Sequence, residues 1–232
     1  MGEDMIETWF PTPIYYADLN PSDKDSAMMT QYLINFHQDK FSNLAKPGED
    51  FTETARPNLT GDVYGDNQIA SQKPFQWLNR QINYHLDKFL EKLGVPSQRF
   101  SYHVQKSWPV VIEDGGSVYE HNHSNANFSA VFYIQTEEGN DSGKISFKSP
   151  NEILGNLPLR YNENNKLNMS VVKYRAIQNR LILFPSALQH EVELYSGSTP
   201  RYSVSYDLNV TVEADERDNE FCVTNPSCWV QL

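Results

Sequence analysis

Only two cysteines occur in 232 residues, Cys222 and Cys228. Their C-x5-C spacing fits neither a thioredoxin-type C-x-x-C nor a zinc knuckle, so free thiols in a reducing compartment are expected. Positive charge is scarce as well, with 19 Lys plus Arg against 30 Asp plus Glu and a net charge of −11. A field of that sign repels phosphate backbones and anionic headgroups, and no nucleic-acid or membrane-surface partner is expected. Long apolar runs are missing. A clean run such as Leu181 to Phe184 falls far short of the ~20 residues that span a bilayer. The opening Met1-Gly2-Glu3-Asp4-Met5-Ile6 has neither a basic nor an apolar leader region, and Ile6 stands where a myristoylation motif wants Ser or Thr. A cytoplasmic location is therefore expected. G-x-G-x-x-G, the P-loop and the G-x-S-x-G elbow are absent too, which removes support for dinucleotide, NTPase and serine-hydrolase readings.

What is present suffices for a core: 39% hydrophobic and 12% aromatic residues, in a length that suits one all-β domain. The Pro-punctuated aromatic opening from Trp9 to Tyr16 suits an edge strand. Ser22 is a plausible N-cap, with Asp23 and Asp25 behind it, for a helix to Leu44. The stretch 47–72 reads as polar loop. Phe75, Leu78, Ile82, Leu86, Phe89 and Leu93 recur at helical spacing after Pro74 and stop at Gly94, which predicts an amphipathic helix. From there β-branched and aromatic runs alternate with turn residues. Strands are expected over 100–107, 108–113, 117–121, 127–135, 144–148, 170–176, 180–184, 190–195 and 201–212. The polar stretch 149–168 is too long for a hairpin turn.

His121-Asn122-His123 closes one of these strands. Residues i and i+2 of a strand face the same side roughly 6.5 Å apart, so both imidazoles can converge on one ion. Strand alternation also makes such pairs by chance. A third imidazole, His190, begins a later strand. Eleven residues further on, Arg201-Tyr202-Ser203-Val204-Ser205-Tyr206 alternates, with Arg201, Ser203 and Ser205 on one face and the apolar residues on the other. An Arg and a Ser on one face can hold a carboxylate, although Arg201 also suits a solvated strand. His37 and His85 fall inside helices and read as surface or satisfied positions, and His103 as a strand residue outside the pocket.

The ordered set of H-x-H, NFSAVFYIQ, LILFPSALQH and RYSVSYDLN resembles the 2-oxoglutarate- and iron(II)-dependent dioxygenases. The opening FPTPIY and the Ser107-Trp108 pair resemble a prolyl-hydroxylase-like group of marine bacteria and their phages. The resemblance implies a mainly β protein with N-terminal helices, built on a double-stranded β-helix, the jelly-roll or cupin-like barrel. One domain, 1–232, is expected, with helical support and a first strand to about residue 97, a barrel over 98–212 and a tail over 213–232.

By the same resemblance His121 and His190 are iron ligands, and Arg201 grips the C5 carboxylate of 2-oxoglutarate with Ser203 and Tyr133. Fe(II), 2-oxoglutarate and O2 are implied, with hydroxylation of a peptide or small molecule and release of succinate and CO2. His123 departs from the superfamily's H-x-D, and the marine group carries H-x-H there. Three imidazoles leave the metal one charge more positive than two imidazoles and a carboxylate. Glu120 and Glu191 should point away from the cluster and are poor replacements. His123 is thus a third ligand, or a structural residue beside a two-His site with the acid supplied elsewhere. A cupin-like metal enzyme without a keto acid, and a non-catalytic jelly-roll binding or virion protein, share the fold and stay open.

Overall fold

The computed structural model describes residues 5–44, 58–62, 65–151, 160–212 and 225–230. Strand β1, Tyr15–Asp18, leads into helix α1, Asp23–Leu44. Ser22 caps it, its Oγ accepting the Asp25 N–H at 3.2 Å. A 3-10 turn at Lys73–Phe75, with Pro in the first turn, precedes α2, Gln76–Lys92. Leu78, Ile82, Leu86 and Phe89 form the buried face of α2, as their spacing predicts. Gly94 ends the run with φ +80°, a conformation that a side chain at that position would resist.

The remaining strands are β2, Asn58–Thr60; β3, Phe100–Ile112; β4, Val118–His121; β5, Phe128–Gln135; β6, Ile145–Lys148; β7, Val171–Tyr174; β8, Arg180–Pro185; β9, His190–Val192; and β10, Arg201–Val212. They form a six-stranded sheet in the order β1-β8-β5-β10-β3-β2 and a four-stranded sheet in the order β4-β9-β6-β7. Every ladder between them is antiparallel. The architecture is the expected double-stranded β-helix buttressed by two helices.

Period-2 alternation divides the large sheet between two environments. Ala130, Phe132 and Ile134 of β5, Leu181 and Leu183 of β8, and Tyr202, Val204 and Tyr206 of β10 pack with the helices. Their neighbours Tyr133, Ile182 and Phe184 turn inward to meet Ile145 and Phe147 of the small sheet. The helices thus seal one face of the large sheet and leave the other free to line a cavity.

Three expectations need correction. The segments 100–107 and 108–113 are one strand, because β10 pairs continuously from Phe100 to Ile112 except for a slip at Asp207/Leu208. The expected loop 47–72 contains β2, paired with Val110 to Ile112, and a 3-10 turn at Ile69–Ser71. Leu59 and Ile69 from this stretch are buried in the core. The first strand begins only at Tyr15, and Trp9 and Phe10 are exposed. Cys222 lies outside the described residues, and Cys228 is a free, exposed thiol.

Candidate active site

The end of β4 and the start of β9 face each other in register, with His121 directly opposite His190. That pairing joins two imidazoles far apart in sequence, with ring centroids 4.3 Å apart. His123 lies just past the end of β4, so strand geometry does not place it. Its backbone N–H donates to the Ser186 carbonyl at 2.9 Å, turning the chain back toward the cluster. Its ring stacks on His190 at 5.2 Å and lies 5.1 Å from that of His121. One ligand atom from each of the three residues lies within 4.8 Å of the other two.

Each ring is oriented through Nδ1. His121 Nδ1 is 2.7 Å from the Tyr119 carbonyl and His190 Nδ1 is 2.9 Å from the Leu188 carbonyl. A carbonyl only accepts, so Nδ1 carries the proton in both and Nε2 keeps a free lone pair. His123 Nδ1 is 2.7 Å from Asp207 Oδ1. Burial disfavours the charged ring, pushing His190 down to about 4 and lowering His121 as well. The cluster therefore offers neutral nitrogen donors near pH 7 from His121 and His190, the kind that iron(II) accepts.

A cavity of about 730 Å³ connects this cluster to Arg201, Ser203 and Tyr133. Arg201 is buried, at 2% exposure. Its Nη1 donates to the Gly143 carbonyl at 2.6 Å, while Nε has no hydrogen-bond partner among the described residues. No acid among the described residues pairs with it. Burial pushes its pKa down, and holding a guanidinium in such a place without a counter-charge is costly. Its guanidinium carbon stands 5.6 Å from the centre of the buried Tyr133 ring. Burial raises the Tyr133 hydroxyl, keeping it protonated. A buried cation with an unmatched donor, beside a hydroxyl, fits a small carboxylate.

Gly143 has φ +61°, and a Cβ on it would come 2.9 Å from Tyr195. Its lack of a side chain lets the carbonyl that holds Arg201 sit where it does. At the mouth, Lys106 pairs with Asp62 at 2.8 Å and lies over Trp108. Glu120 lines the mouth rather than facing away, but it is ion-paired with Lys148 and stands apart from the three-His cluster.

The other histidines lie elsewhere. His37 contacts Tyr202 and Glu113, His85 contacts Tyr15, and His103 contacts Thr211. Sequence reading missed Asp207 and Trp108 as parts of the site. Trp108 stacks on His123 with centroids 5.5 Å apart. The signal for Asp207 was available, since the alternation of Arg201, Ser203 and Ser205 continues to it.

Residues 106–207 match the family model described as "Putative 2OG-Fe(II) oxygenase". The chain carries a 2-oxoglutarate- and iron(II)-dependent oxygenase domain. The match spans every residue of the cavity from Lys106 to Asp207, and the domain uses iron(II) and 2-oxoglutarate. No curated protein sequence matches the chain. Among solved structures, the oxygenase is similar in fold to AviO1 from Streptomyces viridochromogenes, at 11% identity over 86% of this chain and 90% of that one, with a TM-score of 0.55. It is also similar to a Pseudomonas putida prolyl-4-hydroxylase, at 13% identity over 84% and 92% of the two chains, with a TM-score of 0.50. A third is HygX from Streptomyces hygroscopicus, solved with nickel and 2-oxoglutarate bound, at 10% identity over 85% and 82%, with a TM-score of 0.50. Among the described residues no helix is long and apolar enough to cross a membrane.

Proposed function

We propose that the oxygenase hydroxylates a peptide or small organic substrate, converting 2-oxoglutarate and O2 to succinate and CO2 as one oxygen atom enters the substrate. The observation that carries this reading is the buried guanidinium of Arg201, unpaired with any acid among the described residues, in the same cavity as three converging imidazoles. His121, His123 and His190 would hold iron(II) through Nε2. Bound iron(II) supplies the O2-activating chemistry. Arg201 would take the C5 carboxylate of 2-oxoglutarate, with Tyr133 donating its hydroxyl proton and Ser203, two residues along the same strand face, adding a hydrogen bond. The Arg201–Gly143 bond fixes the direction from which that carboxylate is held. The apolar walls, among them Val131, Ile145 and Phe184, limit water around the reacting groups.

A cupin-like enzyme without a keto acid has no use for a buried guanidinium in its metal cavity, and a binding protein would form no succinate. The H-x-H spacing supports the narrower placement in the prolyl-hydroxylase-like group of marine bacteria and phages, and with it prolyl peptides as the first substrates to try. The test supplies iron(II), 2-oxoglutarate and O2 with prolyl peptides and free amino acids, and follows succinate. Succinate formed in step with 2-oxoglutarate loss, and abolished without O2 or in His190→Ala, is expected. Succinate formation that persists in His190→Ala overturns the reading, as does its absence with every substrate.

A further inference from the structure

The carboxylate missing from the H-x-H motif stands behind it. Asp207 is buried, at 6% exposure. Its Oδ1 lies 2.7 Å from His123 Nδ1 and also accepts from Ser129 Oγ at 3.1 Å. Ser129 Oγ is in turn 2.9 Å from Ser186 Oγ. Ser129 gives its only hydroxyl proton to Asp207, so Ser186 must donate to Ser129, and the chain of hydrogen bonds ends on the carboxylate. Ser186 also accepts the His123 backbone N–H, so ring and main chain of His123 are tied to one network. Trp108 stacked on the ring removes its remaining freedom. The cross-strand neighbour of Asp207 is Lys106, but the Lys106 ammonium is paired with Asp62. Asp207 is therefore directed at the imidazole.

The strand is built to deliver this acid. Arg201, Ser203, Ser205 and Asp207 share one face of β10. The β10–β3 register slips immediately after Asp207, passing from Lys106 to Val104 and skipping Gln105. Such irregularities re-aim a side chain beside a site. The other two imidazoles rest on neutral carbonyls. Of the three, His123 alone rests on a carboxylate.

We propose that Asp207 is a positioning residue that supplies, through His123, the negative charge that a two-His-one-carboxylate site places directly on the metal. The proposal rests on the metal reading of the three-His cluster given above. A carboxylate accepting from Nδ1–H fixes the tautomer and ring orientation and strengthens Nε2 as a donor. It also offsets the extra positive charge left by a third neutral imidazole. The acid of H-x-D has in effect moved from the motif to the end of R-x-S-x-S-x-D.

The test titrates Co(II), without 2-oxoglutarate, into the wild type, Asp207→Asn, His123→Asp and the double variant, with thermal melts of the metal-free proteins alongside. Asp207→Asn should weaken Co(II) by roughly 10- to 100-fold and shift its ligand-field absorption. With His123→Asp present, the charge already sits on the metal, and Asp207→Asn should then cost nothing or improve affinity. An equal loss in both backgrounds shows a merely structural Asp207 and overturns the proposal. Unchanged affinity in Asp207→Asn overturns it while leaving the three-His site standing, whereas no Co(II) binding by the wild type removes both. Should Asp207→Asn fail to fold, histidine nitrogen NMR of the Zn(II)-loaded wild type decides. His123 bound through Nε2 with a protonated Nδ1 is expected, and any other arrangement overturns the proposal.

Discussion

Arg201 and Tyr133 are buried together, the guanidinium carbon 5.6 Å from the ring centre. Losing one partner of a buried charge-assisted pair costs ~2–5 kcal/mol, or roughly 30- to several-thousand-fold in affinity. Arg201→Ala should raise the 2-oxoglutarate requirement at least tens of fold, and iron binding to the free protein should stay nearly intact. Arg201→Lys should recover part of the loss, because an ammonium lacks the planar fork. Ser203→Ala should cost about 1 kcal/mol. Calorimetric titration of the iron-loaded variants under argon checks the order.

Removing a ligand should separate metal binding from folding, because the three imidazoles line the cavity. His121→Ala and His190→Ala should lose iron while keeping the circular dichroism of the parent. His123→Asp should still bind metal, since it restores the common triad. Parent-like affinity and turnover in His123→Ala would show that His123 is not a ligand. Equilibrium dialysis against iron(II) under argon measures each.

The Gly143 carbonyl holds Arg201, and a Cβ at Gly143 would press on Tyr195 at 2.9 Å. Gly143→Ala should therefore weaken 2-oxoglutarate several-fold with little change in iron affinity. The same two titrations compare it with the parent.

Burial puts folded His190 at about 4, against ~6.5 for an unfolded imidazole. The unfolded chain takes up a proton in that window and the folded chain does not. The contribution of a neutral His190 is thus complete above ~6.5 and is lost as pH falls toward 4. The melting temperature of the metal-free protein should fall between pH 7 and pH 5, and fall less steeply in His190→Asn. Equal slopes would contradict this.

Local periodicity made much of this fold readable. The spacing of Leu78, Ile82, Leu86 and Phe89 gave the buried face of α2, and the alternation in β10 separated Arg201 and Ser203 from Tyr202 and Val204. Non-local pairing hid the rest. Strand β2 has only three residues and exists because β3 offers it an edge. Sequence reading places a strand boundary between Ser107 and Trp108, where nothing local shows that β10 pairs with both residues. The six-stranded sheet runs through it nonetheless. Asp207 was missed because its importance lies in contact with His123, 84 residues earlier in the chain, and alternation alone gives a face without a partner.

One cavity is proposed to bind iron(II) at its three-His end and 2-oxoglutarate at its Arg201 end. Anaerobic titration of 2-oxoglutarate into iron-loaded and metal-free protein tests it most directly. One 2-oxoglutarate per chain is expected, bound at least tenfold more tightly with iron(II) present, with an affinity that collapses in Arg201→Ala. Binding that ignores both iron(II) and Arg201, or no binding at all, would contradict it.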